Sequence, residues 1–230
     1  MTQKHIDDLL VKPDFREIAE SKEFYFQKGQ DALIKWLEIE VSESTITILL
    51  SLAKDYEKIQ AEAENNLEIN TILKLLFEVI SYCDTKAKDK NLLNQYEDKR
   101  ALAMAYVRMN YWVEHLILFK FQPEALNYGS TRNAFRYLLD PERNTTILSE
   151  NHRELISINL FKKEFNTDLF IDDLKSYFGN YKILVTNNLN YTHILSKLIY
   201  SIEAEWKEEV VALMASDSTG WLDNHINNSI

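Results

Sequence analysis

Arg108 and His115 stand seven residues apart in a stretch of helical pattern, so both project from nearly the same side, two turns from each other. An imidazole and a guanidinium on one helix face can work on RNA. The histidine would move a proton to or from a ribose 2′-hydroxyl, and the arginine would steady the charge developing on the phosphate. A ring with an unperturbed pKa of about 6.5 suits proton transfer near neutrality. The same residues also read as amphipathic members of a buried helix, Arg108 paired to an acid from a neighbouring helix and His115 hydrogen-bonded to backbone. A second group is Arg132, Arg136, Arg143 and Arg153, gathered within about twenty residues of an otherwise acidic chain. Arg132 and Arg136 are four apart and share a helical face, so both forks could grip a phosphate or an acidic partner, which makes local nucleic-acid contact one use of the cluster. Asp140, Glu142, Glu150 and Glu154 interleave with them, and such a mixture also forms compensating surface ion pairs.

Other chemistries lack their residues. None of His5, His115, His152, His193 and His225 is three or four residues from another histidine, and Glu-x-x-His is absent, so neither a zinc site nor a bundle-core di-iron site is expected. No metal or cofactor is expected. There is no Gly-x-Ser-x-Gly elbow, and the single cysteine, Cys83, falls on the apolar face of a helix, where it reads as a small core residue. Acid-Xaa-Lys triplets such as Asp173-Leu174-Lys175 and Glu205-Trp206-Lys207 fall in helical pattern and read as ordinary charged surface. Glu203, Glu205, Glu208 and Glu209 beside Trp206 could imitate a phosphate row, or simply form the outer face of an amphipathic helix. With 26 Lys+Arg against 36 Asp+Glu the net charge is −10, so the chain as a whole exerts no pull on nucleic acid or anionic lipid.

The Arg108–His115 pair resembles the arginine–histidine element of the helical nucleases of the HEPN superfamily, here with Met109 standing between Arg108 and Asn110 where a polar residue commonly follows the arginine. That resemblance implies a metal-independent ribonuclease with Arg108 and His115 as its catalytic pair, completed across a homodimer. A second stretch, Tyr137-Leu138-Leu139-Asp140-Pro141-Glu142-Arg143 followed by Ile147, Ser149, His152, Arg153 and Ile156, resembles a segment in the helical region ahead of the AAA+ motor of McrB-type restriction proteins. It covers residues 137–156. No phosphate-binding loop accompanies it, so no nucleotide hydrolysis is implied, only a motorless helical module in a prokaryotic, defence-type setting. Local physics explains the stretch too: Pro141 stops one helix, and Ser149 is an N-cap whose hydroxyl accepts the amide of Asn151 or His152.

The elements that must position these residues are helical. Ile48, Leu52, Tyr56, Ile59 and Ala63 predict one amphipathic helix over about 45–64, and Ile69 to Cys83 a second over 68–84. Tyr191, Leu195, Leu198, Ile202, Trp206, Val210 and Leu213 predict a long last helix ending at Ser216 to Gly220. Shorter patterns fit 3–11, 14–22, 24–39, 123–127, 131–139, 150–163 and 168–178. Tyr181 to Val185 is a run of β-formers that reads as a short strand or an extended connection. From Ala101 to Phe121 apolar residues cover nearly the whole circumference, which predicts a central helix surrounded by others, with polar residues from about 92 as its first turns. Four glycines and three prolines are too few for a β-sandwich, a Rossmann domain or a phosphate-binding loop. No repeat emerges. The polar run at 85–91 and the stretch 123–129 are the candidate internal boundaries.

These patterns predict an all-α, single-domain multi-helix bundle over 1–215 around the central helix 101–121, with 216–230 a tail that could dock through Trp221. Charges within Met1 to Val11 do not fit a signal peptide, no run reaches the ~18 apolar residues of a membrane span, and a lone cysteine suits a reducing compartment, so a cytoplasmic protein is expected. With strong catalytic signatures missing, the leading expectation is a non-catalytic interaction module, an accessory or adaptor subunit. Its partner would be a protein or a second copy, engaged through Arg132, Arg136, Arg143, Arg153 and Trp221. The HEPN-like ribonuclease stands as the alternative.

Overall fold

The structure, a computed structural model, describes residues 2–83, 99–126 and 129–207, and in the helix Lys99–Phe121 it describes side chains from Val107 onward. The all-α expectation holds: among the described residues every regular element is a helix. In chain order these are α1 (Gln3–Leu10), α2 (Pro13–Ala19), α3 (Gln27–Glu38), α4 (Glu43–Leu52), α5 (Tyr56–Ala63), α6 (Leu67–Cys83), α7 (Lys99–Phe121), α8 (Ser130–Leu139), α9 (Glu150–Ile156), α10 (Phe170–Tyr177) and α11 (Tyr191–Ser201), with 3₁₀ turns at Pro123–Ala125 and Asn188–Asn190 and a π turn at Ser157–Phe161. None is long and apolar enough to cross a membrane. The chain divides into two compact units, Met1–Lys22 with Glu142–Ile230, and Glu23–Pro141. The divisions therefore fall at 22/23 and 141/142, the second at the helix-stopping Pro141, and not at 85–91 or 123–129.

In the unit Glu23–Pro141, α3 packs on α6 and α8, α5 lies on α4 and α6, and α7 touches α4, α5, α6 and α8. Close approach of α3 to α6 needs Gly29, where a Cβ would stand 3.0 Å from the Cβ of Tyr82. The helix expected over 45–64 is two helices. Asp55 breaks it by capping α5, its carboxylate accepting the Lys58 amide at 3.3 Å, and the Tyr56 amide freed by the break donates to Asn110 Oδ1 of α7 at 2.7 Å. The expectation of a fully surrounded central helix is also corrected. Met109, Trp112, Val113, Leu116 and Ile117 form one buried stripe of α7, while Val107 (65% exposed), Arg108 and Tyr111 (44%) face water. Apolar residues around a helix do not all have to be buried when tyrosine and valine supply part of the count. Lys120, near the end of α7, closes α3: its ammonium donates to the carbonyl of Trp36 at 2.8 Å and to that of Ile39, and lies 4.7 Å over the Trp36 ring. A cation is favoured at these carbonyls by the helix dipole as well as by hydrogen bonding.

The other unit holds a core of Ile6, Leu9, Phe15, Ile18, Ile147, Ile156, Phe170, Leu174, Phe178, Ile194, Leu195, Leu198, Ile199 and Trp206. Ser149 caps α9 by accepting the His152 amide at 3.3 Å, as its position predicts. Helical pattern over 150–163 runs through α9 into the π turn, which turns Ser157 and Asn159 inward and ends at Lys162 in the left-handed region. The last helix is shorter than its apolar stripe: α11 ends at Ser201, Ile202 turns, and the chain is helical again over 203–207. Trp206 makes the break possible, since its indole N–H donates to the Ile199 carbonyl at 3.1 Å, and the Asn159 amide in turn donates to the Trp206 carbonyl at 2.7 Å. Residues 84–98 and 208–230, including the tail and Trp221, lie outside the described residues. His193, in the first turn of α11, has Nδ1 2.9 Å from Thr146 Oγ1, and burial, aided by Lys197, pulls its pKa down to about 4.

Two outcomes follow from these contacts. Lys120→Met leaves two carbonyls without their donor and should lower stability by about 1–2 kcal/mol, read as a lower denaturant midpoint with helical circular dichroism retained. A histidine whose folded pKa lies below its unfolded value binds fewer protons in the fold, so stability contributed by the neutral ring is lost as pH falls from about 6.5 towards 4. His193→Gln should remove that slope, so wild type loses about 2 kcal/mol more than the variant between pH 7 and pH 4.5 in urea titrations.

Candidate functional site

Arg108 and His115 do lie on one helix, α7, with Arg108 exposed and His115 half-buried. The ring of His115 is committed on two sides. Its Nδ1 hydrogen-bonds the hydroxyl of Thr131 in the first turn of α8, and the Tyr111 ring lies over it with centroids 4.0 Å apart. Burial lowers its pKa and so favours the neutral ring, opposed in part by the charge of Glu114. Gly129, at φ 118, permits the turn that brings Thr131 to the histidine. Asn110, the polar residue nearest Arg108, is occupied by the Tyr56 amide. What the pair offers is therefore an exposed guanidinium and an imidazole with one nitrogen already hydrogen-bonded and its ring covered by tyrosine.

The four arginines separate. Arg132 and Arg136 lie four apart on α8 in one unit, Arg136 exposed and Arg132 partly so, while Arg143 and Arg153 belong to the other. Arg153 is not a contact residue, which corrects its place in the expected cluster. It is 5% exposed, its Nε donates to the Ile147 carbonyl at 2.7 Å, its guanidinium sits 5.5 Å over the Phe170 ring, and Glu150 lies 3.8 Å away. A guanidinium placed between an aromatic face and a loop carbonyl pins α9 to its own approach loop. Arg143, by contrast, is exposed in the loop before α9 and lines a cavity of about 440 Å³ with Lys175 and Tyr191.

A feature the helical reading undervalued is the segment 181–186. Its burial alternates residue by residue, Tyr181, Ile183 and Val185 packing on the core while Lys182, Leu184 and Thr186 face out, which is the period of an extended strand. One edge is held. The Gln3 side chain accepts the Lys182 amide at 2.9 Å and donates to its carbonyl at 3.2 Å, and the Thr186 amide donates to the Ala19 carbonyl at 2.7 Å. Amide and carbonyl groups of alternate residues in an extended chain point to the same edge. Those of Lys182 and Thr186 thus point towards α1 and α2, and those of Ile183 and Val185 point to the opposite edge, where no described residue meets them. Leu184 projects outward between them, 69% exposed. The β-formers of 181–185 were the signal for this edge; the Gln3 clamp had none.

Comparison with protein families, with curated proteins and with solved structures finds no match to this chain. Among the described residues no group of three or more His, Cys, Asp or Glu could hold a metal ion. Arg153→Met tests the reassigned arginine: it should cost about 2–3 kcal/mol of stability by stranding the Ile147 carbonyl, read as a lower denaturation midpoint. A midpoint equal to wild type would return Arg153 to the surface.

Proposed function

We propose that this chain is a non-catalytic interaction module, an accessory subunit that acts as a pair of copies joined along the open edge of residues 181–186. The observation that carries the reading is that edge: a strand-like segment clamped on one side, with the backbone groups of Ile183 and Val185 on the other and an exposed leucine on its outward face. The segment is self-complementary. Placed antiparallel about a two-fold axis through Leu184, Ile183 of each copy pairs with Val185 of the other, giving four backbone hydrogen bonds, and the two Leu184 side chains meet across the axis. Lys182 then faces Thr186 of the second copy, so no like charges are opposed. The likeness of residues 137–156 to the helical region of McrB-type restriction proteins supports placing such a module in a prokaryotic, defence-related assembly. The ribonuclease reading is less favoured, because His115 gives one nitrogen to Thr131 and lies under Tyr111.

Sedimentation of the full chain across concentration should show a dimer forming at or below about 100 µM, the range of a small interface. Val185→Pro removes a donor that nothing in the monomer uses, and Leu184→Lys sets two ammonium groups against each other. Both should be monomeric with unchanged helical circular dichroism. A wild-type chain that stays monomeric, or variants that dimerise like wild type, overturn the edge. Cleavage of an unstructured RNA that His115→Ala abolishes overturns the non-catalytic reading.

A further inference from the structure

Along its clamped edge the segment 181–186 is closed only at its two ends. Gln3 takes both backbone groups of Lys182, and the Ala19 carbonyl takes the Thr186 amide. Leu184 stands midway between them, and the alternation of an extended chain turns its amide and carbonyl to this same edge. No described residue bonds either group. Beside them runs a groove of about 600 Å³ between the segment and the helices α1 and α2, with Leu10, Ala19 and Val185 in its apolar lining. Each end of the groove carries charge. Asp7 and Lys182 stand at the end that Gln3 closes, where the Gln3 side-chain amide donates to Asp7 Oδ1 at 2.8 Å. Arg16 and Glu20 stand at the end that Ala19 closes, paired with each other at 2.7 Å. One carboxylate oxygen is left over at Asp7 and one at Glu20, and no described residue pairs the Lys182 ammonium.

We infer that this groove binds a short extended peptide of three residues with free termini, laid antiparallel to residues 182–186. Its central residue does at Leu184 what Gln3 does at Lys182. Its N–H donates to the Leu184 carbonyl and its C=O accepts the Leu184 amide, the two-bond exchange of an antiparallel pair. Length follows from the closed ends. Residues 182 and 186 lie about 13 Å apart in an extended chain, so between the Gln3 amide and the Ala19 carbonyl a strand has room only for the residues opposite 183, 184 and 185. Charge sets the direction. Lys182 takes the peptide carboxylate, and the second oxygen of Glu20 takes the ammonium, which places the peptide's amino end beside Thr186. A ligand with one charge of each sign meets no net opposition from a chain of charge −10. Side chains of the first and third residues fall on the core-facing side, among Leu10, Ala19 and Val185, where small apolar groups fit, and the central one falls on the outward face with Leu184. The peptide uses the edge opposite to the one along which two copies join, so the site stands whether or not the chain dimerises.

Calorimetric titration of the full chain with trialanine tests it. Trialanine should bind at or below millimolar concentration. Trialanine methylated on its central amide nitrogen lacks the donor to Leu184, and N-acetyl-trialanine amide lacks both charged ends, so each should bind about tenfold more weakly or worse. Hexaalanine, too long for the gap, should not bind. Lys182→Gln, which removes an ammonium that no described residue uses, should melt like wild type and weaken trialanine binding about tenfold, with recovery in Lys182→Arg. Absence of heat from trialanine at millimolar concentration overturns the site. So does central methylation, neutral ends or Lys182→Gln leaving the affinity unchanged. Hexaalanine binding as tightly as trialanine overturns the three-residue limit and the closed ends it rests on.

Discussion

Helix ends leave backbone amides and carbonyls that must find partners, and a chain of many short helices has many ends. With four glycines and three prolines, this protein has few of the residues that usually shape such ends locally, and side chains from other elements or from beyond the helix end do much of the work. Asn110 takes the Tyr56 amide where α4 gives way to α5, Lys120 takes the carbonyls at the end of α3, and Trp206 takes the Ile199 carbonyl where α11 turns. Arg153 does the same for the loop carbonyl of Ile147. Each contact joins two elements through a polar group that could not otherwise be buried, so packing and helix termination are one event rather than two.

That coupling also separates what could be read from the sequence from what could not. Apolar stripes depend on spacing alone, and they place α1, α6, α8 and α10 to within a residue or two and identify the all-α class. Breaks depend on partners. The stripe through Leu52, Tyr56 and Ile59 is continuous, and although Asp55 caps α5 locally, the Tyr56 amide freed by the break finds its acceptor in Asn110 of α7. The stripe of the last helix likewise runs past Ile202 without interruption, because both sides of the turn face the same core and Trp206 continues the pattern beyond it. Ser149, whose cap bond spans three residues, could be assigned from its own neighbourhood.

The candidate sites divide along the same line. Spacing puts Arg108 and His115 on one face of α7, but what decides their chemistry is Thr131 and Tyr111, and the contact with Thr131 crosses to another helix through a glycine turn. The four arginines look alike as a cluster, yet burial sorts them. Arg153 is drawn under Phe170 to support its own helix, whereas Arg143, ten residues earlier, stays in the loop and faces a cavity. A run of sequence is a poor measure of a patch when Pro141 and Glu142 divide two compact units, since Arg136 and Arg143 fall on opposite sides of that division.

The segment 181–186 shows how a helical protein can hold a strand without a sheet. Its side chains satisfy the period of two that β-formers favour, and its core-facing residues are covered by helices rather than by a second sheet. One edge is closed by a glutamine side chain, whose amide presents one donor and one acceptor just as a neighbouring strand would. A single side chain can imitate one residue of a strand but cannot extend the ladder, and it lies on one edge only. The opposite edge therefore keeps the full hydrogen-bonding capacity of Ile183 and Val185, while Leu184 is exposed on the outward face. Helical packing fixes the extended conformation in advance, so a partner strand that docks there meets a backbone whose ordering cost has already been met within the fold.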